Sequence, residues 1–492
     1  MTGNSFAAVD LGAASGRVVI GTFGPEGFTL DEVHRFANNP ITIDRVFDGV
    51  FDGVLCWNVE SLFDETLRGL SLARIRAVDR GSTLTGIAVD SWGVDYGLVD
   101  NTNALLAPVR HYRGADESMP AKAGAAVPAA EAYRITGISA LAINTCFQLM
   151  RDRELGLLNK GVTALLTPDL WTAWLTGVQG AERTIASTTG LLDWKTHDWA
   201  WDLLKRWDIP LTVMPTIVET GSLAGYTTDQ VTLRIGATEP IAVYRAPAHD
   251  TASAFAAVTD ATLPAAVISC GTWALVGCVN EAPVLTAEAE NMGFTNETAA
   301  DGSALLVRNL SGTWLLEECL RTWVSESGEI NSHHADLRRD LRRELCVASD
   351  AEAQQIVGPI NCGDPELIGV GDMPSRILAL YHRTHGQSDG IQLTRPQIVR
   401  LILVSLADSF AESISQTEQI TGRKFTEIVM IGGGSRIEQL VKLTEQAIGM
   451  PITVSHQEAT SIGNICTQAV SSGLFNNMKQ AREATRILEN RN

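Results

Sequence analysis

The sequence predicts an α/β protein of two similarly planned lobes with a cleft between them. Residues 6–23 read as an apolar strand that ends at Asp10, a turn of small residues and a second strand. That layout recurs at residues 265–277, and a strand at 427–431 precedes three consecutive glycines and a helical pattern. Strands that alternate with helical segments favour an α/β fold. Because the hairpin recurs in both halves of the chain, we expect the two turns to face one another across a cleft.

The composition indicates a globular protein with a large core. The chain has 492 residues, of which 45% are hydrophobic and 19% charged, which is enough for two or three domains. Its net charge is −19 and it contains no Lys/Arg run, which argues against a general surface for nucleic acid or anionic membrane. No apolar run has the length of a membrane span and no apolar leader opens the chain, so we expect a cytoplasmic protein. Monomer and homodimer both remain open.

The eight cysteines are scattered and form neither a Cys-x-x-Cys pair nor a metal-ligand spacing. We expect buried, reduced thiols. A bridge between Cys346 and Cys362 is conceivable, but a cytosolic setting argues against it.

The first half of the chain predicts a βββαβ order. After the opening hairpin, we expect a third strand at Thr29–Phe36, an amphipathic helix at Val59–Val78 and a buried strand at Leu84–Asp90. The chain then bends at Gly93 and continues as another strand. Residues 120–210 are helical and rich in tryptophan, and we interpret them as inserted or peripheral material whose tryptophans form core rather than a binding platform.

The second half begins near residue 245, so we predict domains at 1–245 and 246–492. An apolar strand at Ile241–Ala248 leads into it, and the hairpin at residues 265–277 carries Ser269 and Thr272 at its turn. A helix at 396–421, a strand at 427–431, a helix ending at 448 and a strand at 452–454 follow.

The turn after Asp10 is a candidate phosphate site. Small residues let backbone N–H groups approach an anion closely, and a carboxylate at the strand end can hold a metal or its water shell. An ordinary β-hairpin explains the same residues. The chain contains neither a P-loop motif nor a Gly-x-Gly-x-x-Gly at a helix start, so a phosphate site would need this hairpin, the one at Ser269–Thr272 and the glycine run Gly432–Gly434 together.

Asp250 is a candidate general base. It follows the strand that opens the second half, within His249-Asp250-Thr251-Ala252-Ser253-Ala254. A carboxylate at a strand end could accept a proton from a substrate hydroxyl as that oxygen attacks phosphorus. Asp is also a common N-cap of helices, and spacing alone leaves both readings open.

Taken together, these motifs resemble the FGGY-type carbohydrate kinases. The resemblance covers nearly the whole chain and rests on residues 9–17, 89–95, 249–254, 269–273, 309–315, 432–435, 458–460 and 463–464. It implies the actin-like ATPase (ribonuclease H-like) fold with a duplicated βββαβαβα core. Within the family, Trp92-Gly93-Val94-Asp95 and the His249–Ala254 motif favour the kinases of L-rhamnulose. Glu317, Ile437 and Gly114 depart from the family pattern.

The resemblance implies ATP-dependent phosphorylation of the 1-hydroxyl of L-rhamnulose in rhamnose catabolism, giving L-rhamnulose 1-phosphate and ADP. The partners would be ATP, Mg²⁺ and a ketose. Asp250 would be the proton acceptor and Asp10 the metal residue. The ATP contacts would be Ala13, Ala14, Ser15, Gly16, Arg17, Thr272, Glu317 and Gly433, and the sugar contacts Gly93, His249, Asp250, Thr251 and Asn309. The alternatives are a kinase of L-fuculose or xylulose and a non-catalytic sugar-binding ATPase.

Overall fold

The computed structural model describes residues 3–43, 53–159, 161–326, 358–367, 369, 371–386, 393–455 and 458–485. The chain divides into two compact units. Unit 1 comprises Met1–Thr262, Val279–Leu306 and Glu458–Asn492, and unit 2 comprises Leu263–Cys278 and Val307–Gln457. Each unit is therefore assembled from separate chain segments, and the predicted domain boundary at residue 245 stays a prediction.

Up to residue 262 the elements alternate between strands and helices. In chain order they are β1 (Gly3–Leu11), β2 (Ser15–Gly24), β3 (Gly27–Ala37), β4 (Ile41–Ile43), β5 (Val54–Cys56), α1 (Val59–Asp79), β6 (Ser82–Ser91), β7 (Tyr96–Val99), α2 (Met119–Ala126), α3 (Ala129–Thr136), α4 (Thr145–Glu154), β8 (Thr163–Leu166), α5 (Thr167–Thr176), β9 (Ala181–Glu182), α6 (Arg183–Ser187), β10 (Leu192–Asp193), β11 (Asp198–Trp199), α7 (Trp201–Arg206), β12 (Ile217–Val218), β13 (Leu223–Tyr226), α8 (Asp229–Arg234), β14 (Ala242–Tyr244) and α9 (Asp250–Val258).

The remaining elements follow the same alternation. They are β15 (Ala265–Cys270), β16 (Trp273–Asn280), α10 (Ala287–Asn291), β17 (Phe294–Thr298), β18 (Ala304–Ser311), α11 (Trp314–Glu326), α12 (Met373–His385), α13 (Arg395–Thr421), β19 (Glu427–Ile431), α14 (Glu438–Ile448), β20 (Ile452–Val454), α15 (Ala459–Ser471) and α16 (Met478–Thr485).

The main sheet of unit 1 has the order β13-β14-β6-β1-β2-β3. The central strand β1 runs antiparallel to β2 and parallel to β6, and its residues 6–9 are fully buried. Burial on both faces explains why this segment is continuously apolar rather than alternating. Helices α1 and α15 both pack on this sheet. Within this sheet the predicted βββαβ order is confirmed, whereas the short strands β4 and β5 between β3 and α1 were not predicted and form a separate sheet.

Two features of unit 1 refine the prediction. Strand β14 ends at Tyr244, earlier than predicted, and Pro247, which has no N–H to donate, lies in the segment that follows it. The helical region from α2 to α7 surrounds a core of its own, in which Trp199 and Trp207 are buried with Phe147 and Leu149. The reading of the tryptophans as core residues is confirmed for Trp199 and Trp207, whereas Trp174 is half-buried and Trp201 is exposed.

In unit 2 the strands have the order β18-β16-β15-β19-β20, and β15 runs parallel to β19. Helices α11 and α13 pack on this sheet around a core that includes Phe410 and Leu406. The glycine run differs from the prediction. Residues Gly433–Arg436 form a 3₁₀ turn, and the helix begins only at Glu438. The glycines therefore lead out of a strand but do not themselves open the helix.

Seven of the eight cysteines lie within the described residues, and all seven are buried free thiols. Cys346, one member of the bridge considered above, lies outside them. Among the described residues, no helix combines the length and the apolar character needed to cross a bilayer.

Helix α15 crosses α9 at Gly463, and this crossing requires a residue without a side chain. A Cβ at Gly463 would lie 1.8 Å from the carbonyl oxygen of Ser253. We expect Gly463→Ala to lower the free energy of unfolding by about 3 kcal/mol, because backbone of one helix must move away from the other. Urea-induced unfolding followed by circular dichroism measures the change. Gly124→Ala is the control, since this helical glycine has open space around it and should tolerate alanine. Equal effects at the two sites would contradict the prediction.

Candidate functional site

Three aspartates lie at the carboxyl edge of the main sheet of unit 1. Asp10 ends β1 and pairs in register with Asp90 of β6. The next residue of β6, Ser91, donates its N–H to the carbonyl of Ala248 at 2.9 Å, which places Asp250 at the same edge. The carboxyl edge of parallel strands is where α/β proteins ordinarily bind ligands.

The turn between β1 and β2 is tightly closed. The N–H of Gly12 donates to the carbonyl of Ser15 at 3.1 Å. Asn38 braces the turn from outside, because its Nδ2 donates to the carbonyl of Gly12 at 3.0 Å and its backbone N–H to that of Ala14 at 3.2 Å. Residues 12–15 are half-buried, so the turn is accessible on one side. Sequence reasoning missed Asn38, which lies beyond the hairpin that it supports.

Arg17 is held against this turn by two carboxylates. Its Nε and Nη2 donate to Asp10 Oδ2 at 2.9 and 2.6 Å, and its Nη1 pairs with Glu458. Burial alone would lower the pKa of the Arg17 guanidinium, but the charges of Asp10 and Glu458 outweigh burial and raise the pKa above its usual range. Arg17 therefore stays a fixed positive charge beside the turn.

Asp90 is fully buried and only half satisfied. Its Oδ2 accepts a hydrogen bond from Asn464 Nδ2 at 2.6 Å, whereas Oδ1 has no hydrogen-bond partner within the described residues. Burial, together with the nearby charge of Asp10, raises the pKa of Asp90 well above its usual value. The edge is thus an acidic environment, in which the charge of one carboxylate disfavours ionisation of the next.

Asp250 is the first residue of α9, and His249 occupies the N-cap position. The Asp250 carboxylate accepts a hydrogen bond from its neighbour Thr251 Oγ1 at 3.1 Å, and 31% of its side chain is exposed. Burial and the charge of Asp10 raise the pKa of Asp250, and the neighbouring His249 opposes them. Because His249 and not Asp250 occupies the N-cap position, N-capping does not explain the aspartate at residue 250.

His249 lies between two carboxylates. Its Nδ1 is 2.9 Å from Glu297 Oε2, and its Nε2 is 3.5 Å from Asp250 Oδ1. Sequence reasoning missed Glu297, because β17 reads Phe-Thr-Asn-Glu-Thr, a mostly polar segment that does not show that its glutamate is buried. A buried glutamate needs a partner, and the folded chain supplies His249.

The Gly93–Asp95 turn that follows β6 is braced from several sides. Val94 has a φ of 69°, which a β-branched residue rarely adopts. Its carbonyl accepts hydrogen bonds from Thr145 Oγ1 at 2.7 Å and Gln148 Nε2 at 3.2 Å. Asp95 binds the indole N–H groups of Trp57 and Trp92 at 2.6 and 3.0 Å. The turn is therefore rigid, and it follows Asp90 by only a few residues. The helix α4 residues that hold Val94 carry no sequence signal for that role.

In unit 2, the hairpin between β15 and β16 anchors the start of α11. The carbonyl of Thr272 accepts the backbone N–H of Gly312 at 3.1 Å, and the carbonyl of Gly271 accepts that of Thr313 at 2.8 Å. The Thr313 hydroxyl also contacts Glu317 Oε1 at 3.2 Å. Thr272 and Glu317 are thereby brought to one end of the unit 2 sheet.

The glycine run packs on the same hairpin. A Cβ at Gly432 would lie 2.7 Å from the carbonyl oxygen of Cys270, and one at Gly434 would lie 2.3 Å from its Sγ. Gly433 between them is exposed with open space around it. Unit 2 thus brings Gly433 to the Thr272 hairpin, with one glycine exposed and two used for close packing. Ile437, which departs from the family pattern, is a buried core residue.

The predicted site residues therefore fall into two sets. Unit 1 brings together the set around its sheet edge, and unit 2 brings together Thr272, Glu317 and Gly433 around its hairpin. Asn309 lies half-buried on β18 in unit 2. The unit 1 set consists of Asp10, Ala13, Ala14, Ser15, Gly16, Arg17, Gly93, His249, Asp250 and Thr251.

Comparison with known sequences finds one family. Residues 52–257 match the N-terminal domain, and residues 266–472 the C-terminal domain, of the FGGY family of carbohydrate kinases. A rhamnulokinase of Bacteroides thetaiotaomicron is 33% identical over 476 residues, which cover 95% of this chain and 91% of that protein. A rhamnulokinase of Klebsiella pneumoniae is 31% identical over 484 residues, which cover 97% of this chain and 92% of the relative.

Solved structures give the same fold. A xylulose kinase from Rhodospirillum rubrum matches with a TM-score of 0.72 at 17% identity, covering 97% of this chain and 92% of that one. A gluconate kinase from Lactobacillus acidophilus matches with a TM-score of 0.72 at 14% identity, covering 98% and 92%. The predicted two-lobed, actin-like ATPase fold class is confirmed.

Proposed function

The chain belongs to the FGGY family of carbohydrate kinases, and on that premise we propose that it transfers the γ-phosphoryl group of ATP to the 1-hydroxyl of L-rhamnulose. The products are L-rhamnulose 1-phosphate and ADP, and the reaction serves rhamnose catabolism. The identity to rhamnulokinases along nearly the whole chain supports this choice of sugar.

The observation that carries the chemistry is Asp250. Its carboxylate is partly exposed at the carboxyl edge of the main sheet of unit 1, in a position that helix capping does not require. In the proposed reaction, Asp250 accepts the proton of the sugar hydroxyl while that oxygen bonds to the γ-phosphorus. The bond between the γ-phosphorus and the oxygen that bridges the β- and γ-phosphates breaks. ADP leaves with this oxygen and with the electron pair of the broken bond.

The turn between β1 and β2 is proposed to face the phosphates. The backbone of Ala13–Gly16 supplies N–H groups, and Arg17 supplies a charge that its two carboxylate partners hold in place. On the same proposal, Thr272, Glu317 and Gly433 of unit 2 contact the nucleotide, whereas Gly93, His249, Thr251 and Asn309 contact the sugar.

The residues of unit 1 fit a Mg²⁺ ion bound with ATP. All described hydrogen bonds to the Asp10 carboxylate reach Oδ2, from Arg17 and Ser461, so Oδ1 is left to coordinate the ion or to accept a hydrogen bond from its water. The described residues contain no cluster of three or more metal-ligating side chains, as suits an ion held mainly by phosphate and water. When bound, the ion would offset charge on the phosphate oxygens. Asp10 would hold it and would not transfer the proton.

A substrate panel tests the choice of sugar. We expect ADP release with L-rhamnulose to exceed that with L-fuculose, L-xylulose, D-xylulose or glycerol by about tenfold or more in kcat/KM, because a misplaced hydroxyl leaves buried polar groups unpaired. Coupled ADP release with each compound, and without sugar, measures this. If kcat/KM is higher with L-fuculose or a xylulose than with L-rhamnulose, the proposed substrate is wrong and the preferred sugar takes its place. Rates that never exceed the sugar-free rate would favour the non-catalytic sugar-binding alternative.

A further inference from the structure

A buried glutamate lies behind the pair formed by His249 and Asp250. Glu297 belongs to β17, whose five residues are all buried, and only 6% of its side chain is exposed. It comes from the second half of the sequence, yet it belongs to unit 1 together with Asp250. An ionised carboxylate that is removed from water needs a partner, since an unpaired buried charge is strongly destabilising. The roles assigned above leave the purpose of this residue open.

The partner of Glu297 is the imidazole of His249. The Nδ1 atom of His249 is 2.9 Å from Glu297 Oε2, and the opposite ring atom, Nε2, is 3.5 Å from Asp250 Oδ1. Both contacts are ion pairs, and Nδ1 and Oε2 have no hydrogen-bond partner within the described residues, so the two carboxylates act on the ring through their charge. An imidazole between two carboxylates therefore fits the doubly protonated form.

The backbone around this ring is fixed independently of the side chains. The N–H of His249 donates to Thr184 Oγ1 at 3.1 Å, and the N–H of Thr298, next to Glu297, donates to Ser187 Oγ at 2.8 Å. Both hydroxyls belong to the short helix α6, so the strand that carries the glutamate and the loop that carries the histidine share one support. Backbone hydrogen bonds to α6 therefore fix the distance between Glu297 and His249 within unit 1.

We propose that Glu297 is a positioning residue for phosphoryl transfer: it holds His249 as an imidazolium, and His249 in turn orients the Asp250 carboxylate and keeps it ionised. The inference rests on the proposed role of Asp250 as proton acceptor. It adds two residues to that role, because the Glu297 carboxylate acts on the Asp250 carboxylate through the His249 ring that lies between them.

The electrostatics agree with this arrangement. Burial would lower the pKa of His249, but the charge of Glu297, helped by Asp250 and Glu182, raises it to about 9. The groups that face His249 are thus Glu297 from β17, Asp250 from α9 and Glu182 at the start of α6. Burial raises the pKa of Asp250, and the charge on His249 counteracts that rise. Below pH 9 the imidazolium is present, so its positive charge stabilises the ionised Asp250 carboxylate at neutral pH. This stabilisation is lost above pH 9, where His249 becomes neutral.

Glu297→Gln is the direct test, because glutamine keeps the size of the side chain and removes its charge. Burial then dominates, the pKa of His249 falls and that of Asp250 rises. We expect kcat with the ketose at pH 7.5 to fall by roughly tenfold to a hundredfold, as is usual when a supporting partner is lost. The acidic limb of the kcat/KM profile should move to higher pH, and KM for ATP should stay near the wild-type value. Glu297→Asp, which keeps the charge, should restore part of the profile.

Asp152→Asn is the matched control. Asp152 is another buried carboxylate of unit 1, paired with Arg110 and accepting a hydrogen bond from Tyr96 Oη at 2.6 Å. Its loss should lower stability without moving the pH profile. If both variants lower kcat equally and neither shifts the acidic limb, Glu297 is a structural residue only and the proposal is wrong.

A measurement on the sugar-free wild-type protein decides the charge of His249 even where Glu297→Gln fails to fold. In ¹⁵N-labelled protein, the imidazole signals that disappear in His249→Gln identify this ring. We expect those signals to report an imidazolium at pH 8, and a neutral ring at the same pH would overturn the proposal. Turnover is not needed for this readout, so a neutral His249 in an active kinase refutes the pairing alone, whereas a charged His249 without turnover refutes the proposed function alone.

Discussion

Asp250→Asn is expected to lower kcat by about a thousandfold, within the range that a positioned general base contributes. Asparagine has nearly the same shape and leaves the first turn of α9 intact, but its amide cannot take the proton of the sugar hydroxyl. ATP binding should be unchanged, because the proposed nucleotide contacts lie elsewhere. Steady-state ADP release gives kcat, and calorimetric titration with ATP gives the affinity.

Ser253→Ala provides the matched control for this substitution. Ser253 lies in the same helix, is fully buried and donates its hydroxyl to the carbonyl of Thr460 at 3.1 Å. Its loss should leave kcat near the wild-type value. If Asp250→Asn also retains near-wild-type turnover, Asp250 is not the base, and its carboxylate serves the start of the helix instead.

Asp10→Asn is expected to lower kcat by about a hundredfold and to raise the Mg²⁺ concentration for half-maximal rate by about tenfold, because electrostatic contacts to a transferring phosphoryl group are of this size. The substitution removes the charge that holds Arg17 Nε and Nη2, and leaves Glu458 as the described carboxylate still paired with Arg17. Initial rates as a function of free Mg²⁺ at fixed ATP measure both effects.

The control for Asp10→Asn is a carboxylate of the same sheet without a proposed role. Asp31 on β3 pairs with Arg80 at 2.7 Å near the surface, and exposed ion pairs of this kind contribute little. Asp31→Asn should leave the Mg²⁺ dependence unchanged. An Asp10→Asn protein with wild-type Mg²⁺ dependence would remove Asp10 from the metal site and leave it as a structural partner of Arg17.

Much of the fold could be predicted because its signals are local. Short stretches of sequence are enough to predict several elements. Examples are the continuous apolar run of β1, the helical periodicity of α1 and the hydrophobic residues of β19. The order of these elements predicted the sheet of unit 1, and the repeat of the hairpin predicted the second sheet.

Local backbone geometry at the turns could not be predicted, because it depends on distant neighbours. The glycine run forms a 3₁₀ turn since Gly432 and Gly434 must approach Cys270 closely. Val94 adopts a φ of 69° although valine disfavours it, and hydrogen bonds from Thr145 and Gln148 hold it there.

The role of Glu297 at the candidate site could not be predicted for the same reason, because it depends on a residue that is distant in the sequence. Nothing in the sequence places residue 297 next to residue 249, because β17 returns to unit 1 after the chain has entered unit 2. Asp10, Arg17, His249 and Asp250, by contrast, were named from motifs that lie at the ends of predicted strands. The residues proposed to touch ligands carry sequence signals, whereas the residues that hold those side chains in place are found from the folded chain.

The identity of the product tests the central claim most directly. The protein is incubated with ATP, Mg²⁺ and L-rhamnulose, and the new phosphate ester is observed by ³¹P NMR with proton coupling. Carbon 1 carries the primary hydroxyl of this 6-deoxyketose, so a phosphate at that position couples to two neighbouring protons. We predict one new ester with this coupling, formed in equal amount to ADP. An ester coupled to a single proton, or ADP formed together with inorganic phosphate alone, would contradict the assignment.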